Sequence, residues 1–342
     1  MQRLTKFFCS SERQPHLIAA ACRALAMKKS VSIIITNWNG RELLEECLPS
    51  IVEAVKFDND RKYIVQVVDD CSNDDSIPYL EKNYPDIKLI KTPVNMGFQG
   101  AVNYGAKNSE SELIAILNND IKIHKNTFKI LSAYFDEEDI FAVTGAVFGW
   151  DKKTFLYGNR GGYFKGGHFY LFEKERYDLS QTLFACGGAF ICNRIKFLEL
   201  NGFDTIFHPL YYEEIDLSYR AMKRGWSILY EPKAVFYHKV QSTITKQESK
   251  KRIGYISGRN NYLFVWKNIT DPGKIISYMI FIPFFLVRDL LKGKIRFWIS
   301  FFLAIKKIPE LLRKRKIEKQ YFKLTDEEIL FAVNSGYKLR RK

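Results

Sequence analysis

The chain has 342 residues, 46% of them hydrophobic, with 53 Lys and Arg against 38 Asp and Glu for a net charge of +15. That apolar fraction supports a packed core and excludes global disorder, and the length accommodates one large domain with a smaller appendage. The charge calls for an anionic partner, whether phosphate groups, a lipid surface or nucleic acid. Cys9, Cys22, Cys47, Cys71, Cys186 and Cys192 lack metal-type spacing, which points to reduced, buried thiols in a cytosolic protein.

Residues 1–29 read as an N-terminal extension, expected to be poorly ordered. Its apolar stretch LIAAACRALAM is broken by Arg23, unlike a secretory hydrophobic region. From Val31 the pattern alternates. VSIII is a continuous apolar run. After it, Asn39 precedes RELLEECLPSIVEAV, whose Leu44, Leu48, Ile51 and Val55 recur at helical spacing. Asn39 with Glu42 three residues on predicts a capping box. YIVQVV, IKLIKT, LIAIL and AVTGAVF are further predicted strands, separated by helices over IPYLEKNY, GAVNYGAKN and TFKILSAYF. Apolar strands alternating with helices imply βαβ units, hence an α/β fold with a mainly parallel sheet and helices on both faces.

Three of these strands end in polar clusters: Thr36 to Asn39, Asp69-Asp70, and Asn118-Asn119-Asp120. In an open α/β sheet ligands bind beyond the carboxyl ends of strands, so the three clusters are expected to share one crevice. Asp69 and Asp70 suit hydroxyl or ring N–H donors, Trp38 offers a stacking face, and Asp120 is a hard oxygen ligand suited to Mg²⁺ or Mn²⁺. No GxxxxGK[ST] and no GxGxxG follows the first strand, which argues against a P-loop NTPase and a dinucleotide-binding domain.

Residues 151–185 read as loop-heavy. In CGGAFICNR, Gly187 and Gly188 permit close backbone approach, and YYEEIDLSYRAMKRGW reads as a helix ending at Gly225. Glu213 and Asp216 share one helical face while Glu214 projects elsewhere. These acids either complement the helix dipole or supply a general base. SILYEPKAVFYHK reads as two extended pieces broken by Pro232. Beyond 245, two apolar segments beside Lys and Arg, within 275–305, suggest helices lying in an anionic membrane interface rather than crossing it. A helical hairpin packed on the catalytic domain is the alternative.

The ordered series VSIIITNWNG, VVDDCSNDDS, NMGFQGAVNYGAKNS, LNND, CGGAF, NGFD and YYEEIDLSYRAMKRGW resembles family-2 glycosyltransferases over roughly residues 30 to 260. The rhamnosyltransferase-like branch, whose members often build bacterial surface polysaccharides, is the nearest variety. The resemblance implies a GT-A catalytic domain over 30–245, with a nucleotide-sugar half (30–125) and an acceptor half (126–245), followed by a helical region over 246–342. It implies a nucleotide-diphosphate donor such as a UDP- or dTDP-sugar, a divalent cation, inversion at the anomeric carbon, and a glycan or lipid-linked acceptor.

By position, Thr36, Trp38, Asn39, Asp69 and Asp70 would hold the nucleoside, with Gly97, Phe98, Asn103, Asn118 and Asn119 shaping the donor pocket. Asp120 and His238 would hold the metal, and Glu214 would be the base. Gly187, Gly188, Glu213 and Asp216 would lie on the acceptor side. Two departures stand out: Glu replaces the more common Asp at the base, and Asn118 replaces a frequent acid. The expected setting is the cytoplasmic face of the plasma membrane. A sugar-nucleotide nucleotidyltransferase is the rival enzyme reading, though TNWNGREL is not the Gly-rich basic loop of that class. A nucleic-acid-binding protein is disfavoured because the basic excess sits beside apolar segments near the C-terminus.

Overall fold

The computed structural model describes residues 28–165, 168–175, 177–240, 249–293 and 295–336. Almost all of the expected N-terminal extension therefore lies outside the described residues. Strand β1 (Val31–Asn37) pairs in parallel with β2 (Tyr63–Asp69) on one side and β4 (Leu113–Asn118) on the other, and β2 pairs in parallel with β3 (Lys88–Lys91). Period-two alternation divides β1 between two cores. Ile33 and Ile35 pack with Leu44, Leu48 and Ile51 of helix α1 (Arg41–Phe57). Ile34 packs with Ala101, Val102 and Ala106 from helix α3 (Gly97–Lys107), across the sheet. Both faces are covered, which is why the strand is uniformly apolar. Each buried Ile contributes about 1.5–3 kcal/mol.

The sheet order continues from β4 through β11 (Ala189–Asn193), β6 (Ile140–Gly149) and β12 (Ser227–His238) to the two-residue β10 (Ser180–Gln181). Here directions mix: β11 is antiparallel to both β4 and β6, whereas β6 and β12 are parallel. The mainly parallel expectation thus describes the first four strands, and the second half is mixed. Helix α2 (Ser76–Asn83) links β2 to β3. After β4, the short β5 (Ile121–Ile123) returns to pair with the end of β12, and α4 (Thr127–Ser132) leads to β6.

Two sequence readings are corrected. The stretch around Pro232 is one strand, not two; its pairing with β6 shifts register between Glu231 and Val235, and the irregularity accommodates a residue that cannot donate to the ladder. The stretch expected to be loop-heavy contains β7 (Phe155–Tyr157) and a hairpin of β8 (Arg160–Lys165) and β9 (His168–Glu173), in which Gly162 opposes Leu171 and Tyr163 stacks on Tyr170.

Helix α5 (Arg194–Glu199) precedes α6 (Glu213–Lys223), which leads into β12. Residues 246–342 contribute α7 (Lys250–Asn268), α8 (Pro272–Leu291), α9 (Ile295–Ile305), α10 (Ile308–Lys319) and α11 (Asp326–Ser335). Leu263, Phe264, Ala304, Leu311 and Ile329 join the same buried cluster as Ile34 and Phe190, so these helices share the core of the sheet domain. The first of the two apolar segments forms one helix that runs on through Arg288 and Asp289 to Leu291, with Pro283 inside it. Among the described residues no helix is long and apolar enough to cross a membrane.

Candidate active site

Thr36 stands opposite Asn118 in the β1–β4 register, and Asn37 opposite Asp69 in the β1–β2 register, so the three polar strand ends open at one sheet edge. They meet at a cavity of about 980 Å³. Its wall includes Thr36, Trp38, Asp70, Gly97 and Phe98 from the first two clusters and α3. Asn118, Asn119 and Asp120 follow β4, and Gly187, Glu213, Glu214 and His238 come from the second half.

A buried polar ladder running back from the wall fixes the strand ends. Asn119 Nδ2 donates to Asn37 Oδ1 at 2.8 Å, and Asn37 Nδ2 donates to Asp69 Oδ2 at 3.1 Å. Asp69 therefore braces the loop, also accepting from the Ser72 amide, and does not line the cavity. Asp70 does, while its carboxylate accepts from the amides of Met96 and Gly97 and from Thr92 Oγ1, each at 2.8 Å, fixing the start of α3 at the cavity edge. Asn39 makes no capping box. It adopts φ 49, its Oδ1 accepts from the Asn73 amide at 2.6 Å, and α1 begins after Gly40. Asn103 also lies off the wall, its amide bonded both ways to the Phe203 backbone at 2.8 Å.

The glycine pair has a steric reason. A Cβ on Gly187 would fall 1.8 Å from Glu214 Oε1, and one on Gly188, whose φ is +68, would fall 2.4 Å from Asn118. Gly187 thus lets the Glu214 carboxylate rest against the backbone, and Gly188 stands behind Asn118 rather than on the cavity wall. Glu213 and Glu214 open α6 side by side. Burial raises both carboxyls: Glu214 to about 7, and Glu213 well above the ordinary carboxylate range, with Glu214's charge adding to the effect. Asp216, expected on the acceptor side, instead turns into the protein. It is fully buried, accepting from Arg220 Nε at 2.7 Å, Lys267 Nζ at 2.8 Å and Asn268 Nδ2 at 2.8 Å. Only the first turn of α6 faces the cavity; one turn on, the same face meets α7.

Asp120 and His238 come together because β5 turns back from Asp120 to pair with the end of β12. Asp120 Oδ2 lies 3.3 Å from His238 Nε2, and His238 Nδ1 is bonded to the Tyr157 hydroxyl at 2.8 Å, which holds the ring's orientation.

Sequence reading missed Tyr157, Arg160, Leu171 and His208 on the wall, and Asn260 behind it. The loop before α6 carries Tyr211 (φ 67) and Tyr212 (φ 77), two consecutive left-handed non-glycine residues of the kind that persist only when surroundings over-determine them. Asn260 of α7 supplies much of that constraint. Its Nδ2 lies 2.8 Å from each of the carbonyls of Phe207, Leu210 and Tyr211. Arg259 Nη2 donates to the His208 carbonyl, and Asn261 Nδ2 to the Tyr212 hydroxyl at 2.6 Å. No local pattern around GRNN marks these roles, because the partners lie some fifty residues earlier.

An α/β sheet with a polar cavity at its strand ends, bordered by two acids on a helix, is the arrangement of a GT-A fold. Residues 32–200 match the model for glycosyl transferase family 2. A poly(ribitol-phosphate) β-N-acetylglucosaminyltransferase, TarS of Staphylococcus aureus, is 32% identical over 110 residues, 31% of this chain and 19% of the relative. The chain thus spans about a fifth of the length of that curated relative. The fold is shared with S. aureus TarS 1–349 in complex with UDP-GlcNAc, at a TM-score of 0.53 and 15% identity over 90% of this chain and 89% of that one. It is shared likewise with the mannosyltransferase PcManGT of Pyrobaculum calidifontis in complex with GDP-Man and Mn²⁺, at a TM-score of 0.52 and 13% identity over 94% and 93%.

Proposed function

We propose that this chain transfers a glycosyl unit, with inversion, from a nucleoside-diphosphate sugar to a hydroxyl of a glycan or lipid-linked acceptor in surface-polysaccharide assembly, with Glu214 as the general base. The carrying observation is the Glu214 carboxyl: it lines the cavity, lies against Gly187, and burial raises its pKa to about 7, near that suited to proton transfer at neutral pH. Trp38 offers a face for the base of the donor, and the Asn37–Asn119 ladder keeps the strand ends open for it. Glu214 accepts the acceptor's proton as its oxygen attacks the anomeric carbon and the nucleoside diphosphate departs from the opposite face; atoms and charge balance with no further reactant.

A divalent cation fits Asp120 and His238. An anionic oxygen and an imidazole nitrogen 3.3 Å apart, the imidazole braced by Tyr157, form a donor set suited to Mg²⁺ or Mn²⁺. Among the described residues no group of three or more ligating side chains occurs, so this pair is the protein's share of such a site. When bound, the cation would neutralise charge on the diphosphate. The rival nucleotidyltransferase reading has no comparable support, because the loop after β1 holds Trp38 and Asn39 where a basic, Gly-rich loop would stand.

A calorimetric panel of UDP-, dTDP- and GDP-sugars with Mn²⁺ or Mg²⁺, run on the wild type and Glu214→Gln, tests the assignment. One donor is expected to bind both proteins alike, while transfer is lost in the Gln variant. Binding of no donor sinks the donor site, and near wild-type turnover by Glu214→Gln sinks the base.

A further inference from the structure

Helix α8 is buried on one side and bare on the other. Tyr278, Phe285, Leu286 and Asp289 face the protein, whereas Ile276, Met279, Ile280, Phe284, Val287 and Leu291 form an outward stripe. Met279 is 68% exposed, Phe284 59% and Leu291 82%. The stripe repeats every three or four residues and runs about 22 Å along the helix at roughly 1.5 Å per residue. It continues onto α9 through Ile295, Phe302 and Ile305, and Trp298 Nε1 donates to the Leu286 carbonyl at 2.9 Å, locking the two helices together. Soluble proteins rarely leave so long an apolar ridge open without a use for it.

Exposed Lys292, Arg296 and Lys306 flank the ridge at the α8–α9 turn and at the end of α9. An apolar ridge edged by cations, on helices not long and apolar enough to cross a membrane, matches the interfacial zone of an anionic membrane, where acyl chains meet negative head groups. The opposite, buried side of α8 connects toward the active site. His168 at the start of β9 stacks on Phe285 of α8 with ring centroids 4.1 Å apart. Three residues on, about 10 Å along an extended strand, Leu171 lines the catalytic cavity. Between them, Tyr170 stacks with Tyr163 and both are exposed.

We propose that the outward face of α8 and α9 seats the protein in the interfacial layer of an anionic bilayer, with the β8–β9 hairpin carrying the cavity mouth toward acceptors held in that membrane. The docking stands on this surface alone; the acceptor clause rests on the glycosyltransferase reading. It confines acceptors to those tethered to the membrane the protein sits on.

The test is sedimentation of the full chain with vesicles of phosphatidylcholine, alone or mixed with phosphatidylglycerol, alongside calorimetry with UDP and Mn²⁺ and light scattering. Wild type is expected to sediment with the mixed vesicles and far less with the neutral ones. Met279→Gln/Phe284→Gln/Val287→Gln is expected to lose roughly tenfold or more of that partitioning. Lys292→Glu/Arg296→Glu is expected to lose the phosphatidylglycerol-dependent part alone. Thermal unfolding of both variants should match wild type, separating lost docking from misfolding. Wild type left in the supernatant with both vesicles, or an apolar variant that sediments like wild type, overturns the proposal. A dimer that the apolar variant dissociates, with no vesicle binding, overturns it in favour of self-association. Absence of nucleotide binding in every protein counts against the donor site and leaves the docking result intact.

Discussion

Replacing Asn260 of α7 with Ala removes one side-chain amide that braces the loop leading to Glu213 and the proposed base Glu214. The amide lies 2.8 Å from three carbonyls, those of Phe207, Leu210 and Tyr211, but has only two protons, so at most two full hydrogen bonds are lost at once. Leaving buried carbonyls unpaired costs about 1–3 kcal/mol each. Relaxation of Tyr211 and Tyr212 from positive φ recovers on the order of 1–3 kcal/mol per residue. Loop relaxation therefore offsets much of the stability loss, and the perturbation falls on position rather than folding. Glu213 and Glu214 directly follow the relaxed residues, and a misplacement of about 1 Å costs roughly 100-fold in rate. The assay is release of nucleoside diphosphate during transfer, with donor affinity from calorimetry. Turnover in Asn260→Ala is expected to fall about 100-fold while donor Kd stays within about twofold, because Trp38, Asp70 and Asn119 are untouched. A lowered Tm with unchanged kcat would refute the reasoning, since Asn260 would then brace the fold without positioning the base.

Two further outcomes bear on the base itself. Burial lifts Glu214 to about 7, and its ionised form accepts the proton, so the active fraction grows as pH rises. The value of kcat/KM should climb about tenfold per pH unit below that point and level off above it; a limb centred in the ordinary carboxylate range would show that burial does not govern this group. In Gly187→Ala the new methyl would sit 1.8 Å from Glu214 Oε1, so the carboxylate must move, with transfer expected to drop about 100-fold while nucleotide binding persists. Full activity in this variant would mean that Glu214 works from another position.

What was legible in the sequence depended on the range of the interactions involved. The uniformly apolar β1 and β4 were readable because both faces of each strand are covered, and the polar strand ends converge because parallel pairing places them at one edge. The acids of α6 were legible as a group but not individually. Helical spacing put Glu213 and Asp216 together, whereas the cavity takes Glu213 and Glu214 and α7 takes Asp216. The capping box failed for a similar reason: Asn39 is claimed by the Asn73 amide, a partner 34 residues away. Asn260 and the His168–Phe285 stack left no trace in the local pattern, because their meaning lies in what the fold brings to them.

The buried charges behind α6 set the size of the smallest working unit. Asp216 shares Lys267 with Asp204, whose carboxyl is held well below its usual range by Lys267 and Lys314 against the opposing cost of burial. Arg220 and Arg224 reach Glu318 of α10, and Lys223 pairs with Asp326 of α11 at 2.6 Å. Every one of these links runs from residues 204–224 to the C-terminal helices, and severing a buried pair costs about 3–5 kcal/mol. The segment from Asp204 to Arg224, just beyond the family-matched stretch, is therefore tied to the C-terminal helices. An exchange of this region between relatives must carry α7, α10 and α11 along with it, and the exposed apolar ridge of α8 and α9, which lies between them in the chain, is inherited as well.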